Sequence, residues 1–279
     1  MKPLRGAESR RHDLGSDAIP RAGETHGART ETTRRQMTGE PKPIFVRAAS
    51  YLGAAGYGNL RTGLQRWPET IHSALARGDV EAVHWSDLFA SDPQRFARMD
   101  PLCRLGLMAV EFLADAIAGL GPAALTRVGV AVETAAGCAT TDARFLKTPR
   151  PSLFAYTLPS TLLGEICIRH RFQGPQLCLL SPDGEGRQIL EEAMDWLRTG
   201  CAEWVVCLGC EALDGSAASM LSPRLTAAWQ AHALLLGLGP MAGGMEVARE
   251  SSVRQVWDKL CIDIPEVALQ PPSGSSTSQ

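Results

Sequence analysis

Residues 171–213 have the sequence RFQGPQLCLLSPDGEGRQILEEAMDWLRTGCAEWVVCLGCEAL, and this stretch decides the fold. It contains two apolar runs, 176–180 and 204–208, each long enough for a buried strand and too short for a helix. Turn-forming residues at 181–184 follow the first run, and Gly200 precedes the second. Between them, apolar residues recur at helical spacing with charged residues in between: Ile189, Leu190, Ala193, Met194 and Leu197. The order strand, turn, helix, strand predicts two parallel strands joined by a crossover helix.

The turn at 181–184 is where chemistry is expected. A turn that leads from a strand into a helix N-terminus directs backbone N–H groups and the positive end of the helix dipole at one point. Enzymes place nucleophiles there because the anion is stabilised. Three side chains are candidates: Cys178 in the strand, and Ser181 and Asp183 in the turn.

This pattern resembles the N-terminal half of the β-ketoacyl synthases, the condensing enzymes of fatty acid and polyketide synthesis. In that family the nucleophilic cysteine follows a Gly-Pro pair by eight residues, and eight residues after Pro175 stands Asp183. The resemblance therefore implies that aspartate replaces the cysteine. Because carboxylates commonly cap helix N-termini, we expect Asp183 to be a cap rather than a catalytic acid. Cys178 lies inside the strand, and the sequence offers no base for Ser181.

The same resemblance extends to other segments. Residues 98–105, RMDPLCRL, open a helix with a long apolar stripe, and residues 127–133, RVGVAVE, form a strand. Residues 156–166, YTLPSTLLGEI, and 231–237, AHALLLG, match further family segments. The resemblance covers residues 44–237. It implies an α/β fold that corresponds to the N-terminal half of a thiolase-like fold, with a mixed sheet flanked by helices.

The C-terminal half of the family's fold supplies two catalytic histidines, and no histidine follows residue 237 here. The resemblance thus implies a non-catalytic subunit like the chain-length factors, which pair with an active ketosynthase and shape its acyl tunnel. An active ketosynthase and an acyl carrier protein are the expected partners, in a homo- or heterodimer. We also expect the face that the second half normally covers to be apolar and exposed.

Two alternatives remain open. One is an acyltransferase or thioester hydrolase that uses Cys178, Ser181 or Asp183. The other is a degenerate remnant without activity. His170 is interpreted as an ordinary half-buried histidine, because no acid or cysteine pattern around it makes a catalytic pair.

Composition excludes several classes of function. A net charge of −2 gives no support to nucleic-acid binding, and no apolar stretch is long enough to span a membrane. Eight cysteines without a secretory signal indicate reduced thiols in the cytoplasm. Cys207 and Cys210 stand at a strand end without a second pair, so we expect packing rather than a redox or zinc site. We expect no cofactor and no metal.

The chain is predicted to have four segments. Residues 1–43 are rich in Arg, Glu, Thr and Gly and are expected to be disordered, with translation beginning at Met37. Residues 44–245 form the ketosynthase-like domain and 246–262 a C-terminal helix. Residues 263–279 form a second disordered tail.

Overall fold

The computed structural model describes residues 42–90, 93, 95–182, 184–221, 228–239 and 244–262. Residues 1–41, which include Met37, and residues 263–279 therefore lie outside the described part of the chain, as does Asp183.

A mixed sheet of seven strands forms the centre of the domain, as predicted, in the order β3-β2-β1-β7-β6-β4-β5. The strands are β1 (Ile44–Gly53), β2 (Gly56–Asn59), β3 (Gly63–Gln65), β4 (Val128–Thr134), β5 (Gln176–Leu180), β6 (Trp204–Leu213) and β7 (Ala228–Leu238). Strand β4 pairs in parallel with β5 on one side and with β6 on the other. All other neighbours pair antiparallel.

Helices cover the sheet. They are α1 (Glu69–Ala76), α2 (Pro101–Glu111), α3 (Ala114–Ala118), α4 (Pro122–Leu125), α5 (Ala139–Lys147), α6 (Pro151–Phe154), α7 (Thr161–His170), α8 (Arg187–Thr199), α9 (Gly215–Leu221) and α10 (Val253–Ile262). Two 3-10 turns, Trp85–Asp87 and Phe96–Arg98, precede α2.

The sheet separates two hydrophobic cores. Val206 and Leu208 of β6 belong to one core, together with α2 and α7. Val205 and Cys207 belong to the other, together with α8 and α10. Because successive side chains of a strand point to opposite faces, the two pairs of helices lie on opposite sides of the sheet.

The predicted unit of strand, turn, helix and strand is confirmed as β5, α8 and β6. Helix α8 ends at Gly200, whose φ of 75° is left-handed. The second strand runs to Leu213, five residues beyond the predicted 204–208, because it pairs along its whole length with β7. Strands β5 and β6 lie on either side of β4 rather than next to each other.

One face of the sheet is covered by helix α10, while the expectation that the face normally covered by the second half is apolar and exposed stays a prediction. Helix α10 packs against β1, β6 and β7 and buries Val253, Val256 and Trp257 completely or nearly so. This helix begins at Val253, later than the predicted 246, where Ser252 and Gln255 cap each other's backbone N–H groups at 3.2 and 3.0 Å. The chain therefore covers this face with its own C-terminal helix.

Within the described residues, none of the helices has the length and apolar character that crossing a bilayer requires.

Candidate functional site

The turn between β5 and α8 lies at the carboxyl end of the parallel strands. The backbone N–H of Ser181 donates to the carbonyl of Thr134 at 3.1 Å, which ties the start of the turn to the end of β4. Gly184 and Gly186 have φ of 60° and 83°, in the left-handed region that favours glycine. The predicted turn into a helix N-terminus is thus present.

A buried carboxylate, Glu133, lies at the N-terminus of α8. Its side chain accepts hydrogen bonds from the Ser181 hydroxyl at 2.6 Å and from the backbone N–H groups of Gly186, Gln188 and Ile189 at 3.0, 3.1 and 3.3 Å. Glu133 is 1% exposed. The N–H groups and the positive dipole end that could stabilise an anionic nucleophile are therefore already satisfied from within the chain.

A second buried carboxylate, Glu211, closes the neighbouring turn. It accepts from the backbone N–H groups of Ala135 and Ala136, the latter at 3.1 Å. Burial raises the pKa of Glu211 above its usual value, against the lowering effect of these hydrogen bonds and one from Thr134. A side chain at Gly184 would collide with the Glu211 carboxylate. Carboxylates thus accept hydrogen bonds from both groups of backbone N–H donors around the turn, one at the N-terminus of α8 and the other at residues 135–136.

The predicted candidates are placed as follows. Asp183 lies outside the described residues, so its role as a cap stays a prediction. Ser181 is buried, and its hydroxyl donates to Glu133 while accepting from the N–H of Gly184 at 3.1 Å. Glu133 is therefore the hydrogen-bond acceptor of the Ser181 hydroxyl, a partner that the sequence did not indicate.

Cys178 lies in the middle of β5, opposite Val132 of β4, and packs against the core. Burial raises the pKa of this thiol to about 11. At neutral pH it is a neutral thiol and a poor nucleophile, because the thiolate is the reactive form. The structure thus gives it a packing position.

The space beside the turn is small. A cavity of about 20 Å³ lies between the turn, β6, β7 and α10, which is room for about one water molecule. His232, which lines it, is 7% exposed and has ring contacts with Tyr51 and Trp257 at 5.0 and 6.4 Å. Burial, aided by the charge of Arg254, lowers the pKa of His232 to about 4, so the imidazole is neutral at neutral pH.

Other singled-out residues have structural roles. His170 stacks on Phe172 at 5.3 Å, and its Nε2 lies 3.5 Å from the Glu111 carboxylate. Burial lowers the pKa of His170 to about 4. Cys207 and Cys210 are buried in opposite cores, as strand alternation predicts. In the described part of the chain, no cluster of three His, Cys, Asp or Glu side chains is placed to hold a metal ion.

Comparison with known proteins identifies the class. The family model for the β-ketoacyl synthase N-terminal domain matches residues 66–233, more than half of the chain. The chain therefore belongs to the β-ketoacyl synthase family through its N-terminal domain. A search of curated protein sequences finds no match.

Solved structures agree on the fold. The ishigamide ketosynthase/chain length factor aligns with a TM-score of 0.52 at 15% identity, over 71% of this chain and 62% of that one. A second structure is the AntDE ketosynthase bound to a hexaketide, in complex with its type II acyl-carrier protein AntF. It aligns with a TM-score of 0.52 at 16% identity, over 71% of this chain and 63% of that one. The chain thus spans less than two thirds of the length of these similar proteins. At these identities the likeness shows the fold.

Proposed function

We propose that this ketosynthase-like subunit is non-catalytic and pairs with an active ketosynthase. The observation that carries the proposal is the position of Glu133 at the N-terminus of α8. A condensing enzyme needs an anionic nucleophile at that point, and here a carboxylate accepts three backbone N–H groups and the Ser181 hydroxyl.

Electrostatics makes a thiolate at this point unfavourable. Two like charges about 4 Å apart repel by about 4 kcal/mol at an effective dielectric constant of about 20. That repulsion would raise the pKa of a thiol placed beside Glu133 by about 3 units. A cysteine at this turn would therefore remain protonated at neutral pH, and it would be a poor nucleophile for condensation.

The partner surface that we propose surrounds β5, the edge strand of the sheet. Five of the eight exposed large hydrophobic side chains among the described residues belong to residues 146–180. They are Leu146, Phe154, Leu158, Ile168 and Leu180. Gly137 brings two parts of this surface together, since a Cβ there would lie 3.0 Å from Pro159 and 3.4 Å from Leu180. Exposed apolar clusters beside an unpaired edge strand are typical of interaction sites.

An active ketosynthase is the occupant that we propose for this surface. One of the similar structures is described as a ketosynthase/chain length factor. Another is described as an acyl-carrier protein in complex with its ketosynthase, which supports a carrier protein as the second partner. The cysteine usage of the chain supports a cytoplasmic location for this assembly.

Capture from the native host tests the pairing. The tagged wild-type chain is expected to retain a ketosynthase that possesses both the cysteine and the histidines. Leu180→Asp, which places a charge on the proposed surface, should abolish this capture. Leu64→Asp is the matched control, because Leu64 is an exposed leucine on β3, the opposite edge strand. A monomeric chain without a ketosynthase, or equal loss in both variants, would contradict the proposal.

One observation favours a second function. The Ser181 hydroxyl lies 2.6 Å from the Glu133 carboxylate, a distance suited to a nucleophile and its base in an acyltransferase or thioester hydrolase. Both side chains are buried, and the cavity of about 20 Å³ that begins at Gly184 of the same turn is too small for a thioester substrate. Hydrolysis of an acyl-pantetheine thioester that disappears in Ser181→Ala would establish this second function in place of the first.

A further inference from the structure

A cavity of about 520 Å³ lies away from the turn, between the N-terminus of α2 and the helices α5 and α6. Four arginines line it: Arg95, Arg98, Arg104 and Arg144. Neither Ser181 nor the two buried carboxylates of the turn contribute to its lining.

Two acids line the same cavity, and both are engaged. The Asp100 carboxylate caps α2 by accepting from the N–H of Cys103 at 2.9 Å, and it accepts from the Thr141 hydroxyl at 3.2 Å. Glu81 forms an ion pair with Arg144. At formal charges, four arginines and two carboxylates give the residues that line the cavity a net charge of +2, while Asp214 lies outside the lining.

Two of the arginines are held in place. Arg104 donates to the carbonyl of Ala97 at 2.9 Å and lies over the ring of Phe96 at 5.8 Å. Arg144 is fixed by Glu81 and lies 3.8 Å from Asp214. A binding site with charges fixed in advance loses less conformational entropy when its ligand arrives.

The other two arginines are available. Arg95 precedes the 3-10 turn before α2 and Arg98 is the last residue of that turn, and both are exposed. Among the residues that the structure describes, neither has an ion-pair partner. Their guanidinium groups can therefore turn toward an anion in the cavity.

The rest of the lining is largely apolar. It comprises Ala97, Met99, Pro101, Leu153 and Ala155, with Tyr156 and Ser152. A volume of about 520 Å³ lies in the range of small-molecule sites, about 300–1,000 Å³. This wall suits an uncharged organic group attached to the anion.

We propose that this cavity binds a small phosphate monoester, with the phosphate on the arginines and the organic part against the apolar wall. A phosphate dianion matches the charge of +2, and its oxygens accept the paired N–H groups of a guanidinium. A pocket of this volume suits a small molecule better than a protein surface. The lining includes Leu153 and Ala155, the chain neighbours of Phe154 in the proposed pairing surface, but binding of a small ligand goes beyond the proposed function.

Titration calorimetry of the full-length chain at low ionic strength tests this inference. The probes are pantetheine 4′-phosphate with pantetheine, and uridine monophosphate with uridine. In at least one pair, the phosphorylated compound is expected to bind at least tenfold more tightly than its uncharged parent. The compound pair with the larger ratio between the dissociation constants of parent and phosphate indicates which organic part the apolar wall accepts. No binding of either phosphate at millimolar concentration, or equal binding of phosphate and parent, would overturn the proposal.

Variants locate the site. Arg95→Ala combined with Arg98→Ala should weaken binding of the phosphorylated probe at least tenfold. Both side chains are exposed, so circular dichroism should show an intact fold. Arg66→Ala combined with Arg249→Ala removes the same charge from exposed arginines outside the cavity and should change binding less than twofold. Equal weakening in both double variants would show a general charge effect and refute the assignment.

Discussion

Replacing Glu133 by alanine should be among the most damaging single changes at the turn. The substitution removes the acceptor of the Ser181 hydroxyl and of three backbone N–H groups, those of Gly186, Gln188 and Ile189. A buried donor without a partner costs about 1–3 kcal/mol, and water that enters the space left by the side chain recovers part of this. We expect a loss of about 3–5 kcal/mol in the free energy of unfolding, which is typical of breaking a buried polar network.

Urea unfolding followed by circular dichroism measures this loss. Glu133→Gln keeps the size of the side chain but directs an NH₂ group at a backbone N–H, so we expect a smaller loss of about 1–3 kcal/mol. Glu191→Ala is the matched control, because Glu191 is an exposed carboxylate on α8, and its loss should stay within about 0.5 kcal/mol. A Glu133→Ala protein that unfolds within about 1 kcal/mol of the wild type would refute the assigned role of this carboxylate.

Two further predictions concern pH and backbone conformation. Because burial lowers the pKa of His170 and His232 to about 4, the unfolded chain binds more protons between pH 6.5 and 4. Stability should therefore fall by about 2 kcal/mol per imidazole from pH 7 to pH 5, and equal urea midpoints at both pH values would contradict this. Gly184→Ala should destabilise the fold more than Gly200→Ala in thermal unfolding. Both glycines have left-handed φ, at 60° and 75°, but only at Gly184 does the new methyl group meet the Glu211 carboxylate. Equal melting temperatures of the two variants would contradict the prediction that the new methyl group at position 184 collides with Glu211.

The spacing of apolar residues within 171–213 is sufficient to predict the unit of strand, turn, helix and strand at the centre of the fold. The alternation of short apolar runs with a helical stripe fixed β5, α8 and most of β6, because each element is encoded within its own residues. The end of β6 was missed, since residues 209–213 include Gly209 and Glu211, which have low strand propensity. Pairing with β7 overrides that propensity.

The carboxylates at the turn could not be placed from the sequence. Glu133 is separated from Ser181 by 48 residues and Glu211 from Ala135 by 76, so only the tertiary fold brings these groups together. One signal was present: a glutamate at position 133 directly follows the apolar run 128–132. A charged residue at the end of a buried strand needs a hydrogen-bond or ionic partner, and the local sequence does not identify that partner.

The covering of the sheet by α10 also depends on long-range packing. Val253, Val256 and Trp257 form an apolar stripe that predicts an amphipathic helix but not the face that receives it. The structure places this helix on β1, β6 and β7. The pairing surface that we propose lies beside the edge strand β5 and not on the face that α10 covers.

The central claim is that the turn between β5 and α8 forms no acyl adduct, and intact-mass spectrometry tests it most directly. The chain is incubated with an acyl-pantetheine thioester, with an active ketosynthase as the positive control. We predict an unchanged mass for this chain under conditions in which the control is fully acylated. An acyl group mapped to Cys178, Ser181 or Asp183 would contradict the claim.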